Sequence, residues 1–272
     1  MKKLFFLIAL SLTVIFLKAG TVDTVEVNSN AMHKKIKCVI VKPSDYDNLQ
    51  KLPVVYLLHG YSGSYAQWIS INAQGLSTKA DEMKALFVCP DGGFGSWYFD
   101  SPLDSSIRYE TFVSNELINY IDNNYKTFTD RQHRAITGLS MGGHGALYLA
   151  IRHKDIYGAA GSTSGGVDFR PFPKNWDISK DLGDYSTHQK NWDDNTVITN
   201  IDRIANGDLH LIIDCGVDDF FLQVNRNLHQ KLLDKKIDHD YIERPGGHNS
   251  IYWANSILYQ LLFFENYFNQ SK

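Results

Sequence analysis

Cysteine is scarce and oddly placed: Cys38, Cys89 and Cys215 are the only three in 272 residues. An odd, widely spaced set makes no disulfide framework, and no cysteine or histidine pair has zinc-site spacing. Charge of one sign is also in short supply. Lys and Arg number 27 against 30 Asp and Glu, a net charge of −3, which excludes the basic footprint of a nucleic-acid binder. Repeats and low-complexity tracts are absent. No apolar run reaches the roughly 20 residues that a membrane-spanning helix needs.

The longest apolar run, residues 4–17, follows Met1, Lys2 and Lys3 and is broken only by Ser11 and Thr13. It has the length and flanking charge of the apolar region of a bacterial signal peptide. We expect an export signal over residues 1–20, cut after Ala19 or Gly20. An uncleaved anchor is the alternative, because Leu17 and Lys18 make a poor small-x-small site. No cysteine directly follows the run, which argues against a lipoprotein anchor. The mature chain, 21–272, is then secreted or periplasmic and carries no membrane span.

What is present is alternation. Residues 22–28 and 35–41 alternate as strands do and suit an antiparallel edge hairpin. The stretch 54–58 (VVYLL) is continuously apolar, as a strand buried on both faces is. Further strands are predicted at 85–89, 134–138, 157–161, 209–213 and 241–244. Helices are predicted at 109–125, 142–152, 220–233 and 249–268. Strand–helix alternation over this length predicts one α/β domain, a mostly parallel sheet with helices on both faces. Residues 168–207 break the rhythm. They are polar, include Pro171, Pro173, Trp176 and Trp192, and show little periodicity. A stretch this long inside a compact domain is commonly functional, and here a cap over a site is expected.

Gly138-Leu139-Ser140-Met141-Gly142 fits G-x-S-x-G. The pattern alone is weak, but it follows a predicted strand and opens a predicted helix, the setting its chemistry requires. The serine sits in a sharp turn, glycines two places before and after leave room for it, and the helix N-terminus favours developing negative charge. Ser140 is therefore the candidate nucleophile, and a serine needs a base. Of ten histidines, His248 is best placed, in the loop between the last strand and the last helix. His59 precedes the serine in the chain and is read as structural. His144 is expected to pack within the helix after the elbow. The acid should follow strand 209–213. Asp214 still belongs to that strand, while Asp218 and Asp219 both fall in the loop, and periodicity does not separate them. For an oxyanion hole, the amides of Met141 and Tyr61 are the candidates, with Gly60 and Gly63 letting the second loop approach closely. Cys89 and Cys215 lie in apolar strands and read as small buried hydrophobes.

These residues carry a resemblance. LLHGYSGSYAQW (57–68), PDGGFGSWYFDSP (90–102), GLSMGGHGALYLA (138–150), DCGVDDFF (214–221) and PGGHNSIYW (245–253) resemble the esterase D-like branch of the α/β-hydrolases. That branch includes S-formylglutathione hydrolases, tributyrin esterases, feruloyl and acetyl-xylan esterases and the antigen 85 acyltransferases. The resemblance implies an α/β-hydrolase fold and a serine carboxylesterase acting on short-chain acyl or carbohydrate-linked (acetyl or feruloyl) esters. It implies Asp219 rather than Asp218 as the acid, supports Ser140, His248, Tyr61 and Met141, and places Trp97 at the substrate site. It implies no metal and no organic cofactor. Cytosolic S-formylglutathione hydrolases carry no export signal, so the N-terminus argues against that substrate. Two rival readings share the scaffold: an acyltransferase of the antigen 85 type, and a non-catalytic binding protein.

Overall fold

The computed structural model describes residues 20–270. Apart from Gly20, the expected signal segment lies outside the described residues. Eight strands form one sheet: β1 (Thr21–Ser29), β2 (Lys34–Lys42), β3 (Val54–Leu58), β4 (Leu86–Pro90), β5 (Arg134–Gly138), β6 (Ala159–Thr163), β7 (His210–Gly216) and β8 (Asp240–Arg244). Their order is β1-β2-β4-β3-β5-β6-β7-β8. β1 pairs antiparallel with β2 and β2 with β4, while every pair from β4 to β8 is parallel. The expected edge hairpin is thus present, as is the mostly parallel sheet of the α/β-hydrolase fold.

Side-chain alternation explains why the central strands read as solid apolar runs. Val54, Tyr56 and Leu58 of β3 enter one core, and Val55 and Leu57 enter the other. β4 divides the same way, with Leu86 and Val88 on one face and Phe87 and Cys89 on the other. Each face is covered by helices, so both sets are buried, and each large apolar side chain so buried contributes about 1.5–3 kcal/mol. One face carries the helical run from Tyr109 to Asn124, whose Phe112, Val113, Leu117 and Ile121 are buried. The opposite face carries helices Gln67–Met83 and Ser250–Gln270. All three cysteines are free and buried.

Two segments differ from the sequence expectation. Helix Gln67–Met83 was not predicted: it buries only Trp68, Leu76, Ser77 and Ala80 and kinks at Asn72 (φ −157°, ψ 60°), whose side-chain oxygen accepts from the Gly75 N–H. Residues 168–207 are less irregular than their composition suggests. They hold short helices at Ile178–Leu182, Gln189–Asn195 and Val197–Asn200, and bury Phe169, Ile178, Leu182, Trp192, Val197 and Ile201. Arg170 forks onto both oxygens of Asp168 (2.9 Å each) and reaches Asp193 (2.7 Å), which ties the segment together.

Candidate active site

In an open parallel sheet, the loops at the carboxyl ends of the strands gather on one edge, and ligands bind there. The loops after β3, β5, β7 and β8 bring the candidate residues together on that edge. At the end of β5, Ser140 has φ 57° and ψ −117°, a left-handed conformation that a non-glycine residue rarely adopts. It leads directly into helix Met141–Arg152. The flanking glycines have a steric reason. A Cβ on Gly138 would stand 2.8 Å from the Leu58 carbonyl oxygen, and one on Gly142 would stand 2.6 Å from that of His59. Those neighbours are main chain at the end of β3 and cannot swing aside. We therefore expect Gly142→Ala to destabilise the fold by about 1–3 kcal/mol. A melting temperature equal to that of the wild type would refute this crowding.

Ser140 Oγ lies 2.9 Å from His248 Nε2, and His248 Nδ1 lies 2.9 and 3.1 Å from Asp219 Oδ2 and Oδ1. A carboxylate only accepts, so Nδ1 carries the imidazole hydrogen and Nε2 presents its lone pair to the serine hydroxyl. Asp219 is fixed in turn by the Phe221 N–H, which donates to Oδ1 at 2.8 Å. The two loops that carry acid and histidine are stitched together: Val217 N–H donates to the Arg244 carbonyl and Asp218 N–H to that of Gly246, both at 2.9 Å. His248 sits among rings, with Phe220 at 4.3 Å, Trp253 at 5.0 Å and Phe221 at 5.6 Å between centroids.

The neighbouring acids are placed elsewhere. Asp218 is exposed. Asp214 is buried and accepts from Ser256 Oγ (2.6 Å) and Arg244 Nη2, binding β7 to β8 and the closing helix. Burial raises its pKa despite those two partners.

The Met141 and Tyr61 amides donate to no acceptor among the described residues. A Cβ on Gly60 would be 3.4 Å from Ser140 Cβ, so the loop that carries Tyr61 lies directly against the elbow. His59 secures that loop. It is buried, the Gly92 N–H donates to its Nε2 (2.7 Å), and its Nδ1–H therefore donates to the Gly60 carbonyl (2.8 Å). Burial lowers its pKa, which keeps the neutral ring that this arrangement requires. His144 is likewise buried, with its two nitrogens at the carbonyls of Trp97 (3.0 Å) and Asn195 (2.8 Å), and burial lowers its pKa to about 4.

Trp97 is 1% exposed, with φ 51°, and its ring is enclosed by His144, Phe169 and Trp176. Its ring belongs to the buried core. The aromatics that reach the surface are others: Phe220, 53% exposed, stacks on Trp176 (6.1 Å, 22°), and Phe94 is 65% exposed. Sequence reasoning gave none of these three a site role: Phe94 and Trp176 lie in turns without a periodic signal, and Phe220 opens a predicted helix. Among the described residues, no group of three or more His, Cys, Asp or Glu is placed to hold a metal ion, and no helix is long and apolar enough to cross a membrane.

The chain is similar to known proteins along most of its length. An acetyl esterase of Caldicellulosiruptor saccharolyticus is 29% identical over 230 residues, 79% of this chain and 83% of that protein. An esterase of Mycobacterium tuberculosis is 29% identical over 236 residues, 77% of this chain and 51% of that protein. The chain therefore spans about half the length of that mycobacterial relative. Among solved structures, a ferulic acid esterase superposes with a TM-score of 0.78 at 27% identity, over 92% of this chain and 100% of that one. A family model described as "Putative esterase" matches residues 29–264. With the strand ends, the elbow and the loops of Asp219 and His248 all inside that match, the chain belongs to the esterase family.

Proposed function

We propose that this protein is a serine carboxylic ester hydrolase that works through an acyl-enzyme. The observation that carries the reading is the unbroken hydrogen-bonded line Ser140–His248–Asp219, with its serine on a left-handed turn at a helix N-terminus. His248 Nε2 takes the Ser140 proton as Oγ attacks the ester carbonyl. The amides of Tyr61 and Met141 donate to the oxyanion that forms. Asp219 stabilises the imidazolium, which then gives its proton to the departing alcohol oxygen. Water, deprotonated by the same histidine, adds to the acyl-enzyme and releases the acid, which restores Ser140.

The substrates we propose are short-chain acyl and carbohydrate-linked esters, the acetyl and feruloyl types included, and the N-terminal sequence supports export to reach them. A fluorophosphonate tests the reading directly, because it is attacked only by an activated serine. One equivalent should bond to Ser140, and prior labelling should abolish cleavage of p-nitrophenyl acetate. A folded protein that takes up no label would return the non-catalytic alternative to first place.

A further inference from the structure

Beside the loop that carries Tyr61 lies a cavity of about 270 Å³. Tyr61, Phe94, Tyr109, Asp177 and Asp181 line it, together with Lys34 and Lys180. Small-molecule pockets run from about 300 Å³ upward, so this one suits a single ring. Tyr61 borders it, and the preceding Gly60 lies against Ser140.

Asp181 is the unexplained group. It is 9% exposed, yet no hydrogen bond or ion pair reaches its carboxylate from the described residues. Its main-chain oxygen alone is engaged, accepting from Ser101 Oγ at 2.7 Å. Burial, then Asp104 and Asp177, raise its pKa to about 6. Its oxygens are not sealed from water, but a largely buried carboxylate without a protein donor still gains from one. Here the carboxylate borders a cavity, where a ligand that donates hydrogen bonds would relieve it.

The lining selects among donors. Lys180 pairs with Asp177 at 3.1 Å, and Lys34 is held by Tyr109, its Nζ 3.1 Å from the hydroxyl and 4.9 Å from the ring centroid. The cations are thus engaged within the wall, and the lining balances two lysines against two aspartates. What it does present is acceptors beside an aromatic surface. Phe94, 65% exposed, meets Tyr61 edge to face at 4.9 Å, and the Tyr61 hydroxyl lies 3.5 Å from Asp177 Oδ2. An apolar ring face next to an unpaired carboxylate matches a sugar, which has C–H faces and hydroxyl edges. The wall is held under strain: Trp176 and Asp177 both have left-handed backbone, φ 55° and 56°.

We propose that this cavity binds one neutral sugar ring of the alcohol portion of the ester. Asp181 and Asp177 accept from its hydroxyls, and Phe94 and Tyr61 cover its C–H face. The inference rests on the ester-hydrolase reading above and adds a leaving-group subsite to it.

The test compares two acetyl esters that differ only in alcohol, acetylated xylotriose and p-nitrophenyl acetate. The ratio of their kcat/KM values is measured for wild type, Asp181→Asn and Phe94→Ala. The second variant changes an exposed ring and guards against misfolding. Each should lower the ratio about tenfold, through KM for the sugar ester. Ratios within threefold of wild type in both folded variants would overturn the subsite. If wild type cleaves neither ester, the hydrolase reading fails first, and binding of free xylotriose to Ser140→Ala, read by calorimetry, decides the cavity. Heat of binding that disappears in Ser140→Ala/Asp181→Asn supports the subsite, and no binding to Ser140→Ala refutes it.

Discussion

Replacing Ser140 by alanine should lower kcat for p-nitrophenyl acetate on the order of 10⁶-fold while leaving the fold intact. The size follows from what the hydroxyl does. It supplies the nucleophile to which His248 Nε2 is aimed, at 2.9 Å, so its loss removes the acyl-enzyme and not merely a contact. The fold survives because the Ser140 main chain does the structural work. Its N–H donates to the Thr163 carbonyl at 2.9 Å, and its carbonyl accepts from His144 and Gly166 at 3.1 and 3.2 Å. Alanine keeps all three bonds. Adding His248→Ala to this variant should cost little more, because nucleophile and base act as a unit. Stopped assays at high enzyme concentration, with a melting curve for each variant, check both statements. A Ser140→Ala protein that retains a tenth of the activity would dismiss Ser140 as nucleophile.

The sequence revealed those parts of the fold whose side chains obey a period or whose backbone demands a rare residue. β3 was visible because five consecutive residues are buried on alternating faces. The elbow was visible because only glycine fits at 138 and 142, where main-chain carbonyls of β3 stand in the way of a Cβ. Helix Gln67–Met83 stayed hidden because it lies on the sheet through few buried side chains and bends at Asn72. Strand β6 was placed two residues early, since Ala159–Thr163 is so rich in small residues that its apolar signal begins with the preceding Tyr157. Residues 168–207 hid their order for another reason. Their buried Ile178, Trp192 and Val197 come from three different short helices and Phe169 from a loop, so no single period links them. For the site, chain order selected Ser140 and His248, but it could not choose between two adjacent aspartates. That choice depends on which carboxylate the turn after β7 points inward, a property of backbone angles and not of composition.

The same turn predicts the effect of Asp219→Asn. The Phe221 N–H donates to Asp219 Oδ1 at 2.8 Å. In asparagine, the amide oxygen must keep that position to accept the bond, which directs the –NH₂ toward His248 Nδ1. That group only donates, so Nδ1 must become the acceptor and the ring hydrogen moves to Nε2. The imidazole then faces Ser140 with an N–H where it needs a lone pair, and it can no longer take the serine proton. With the geometry unchanged and the tautomer inverted, kcat should fall about 10⁴-fold. The aspartate side chain is fully buried, so no solvent rearrangement restores the original tautomer. Asp218→Asn, one residue earlier but exposed, should stay within about threefold of wild type, as surface substitutions usually do. Steady-state kinetics on both variants, with ¹⁵N spectra of the His248 ring to read the tautomer, test the argument. Equal losses in the two variants would mean that the loop as a whole matters. Full activity in Asp219→Asn would mean that the histidine is oriented by something other than this carboxylate.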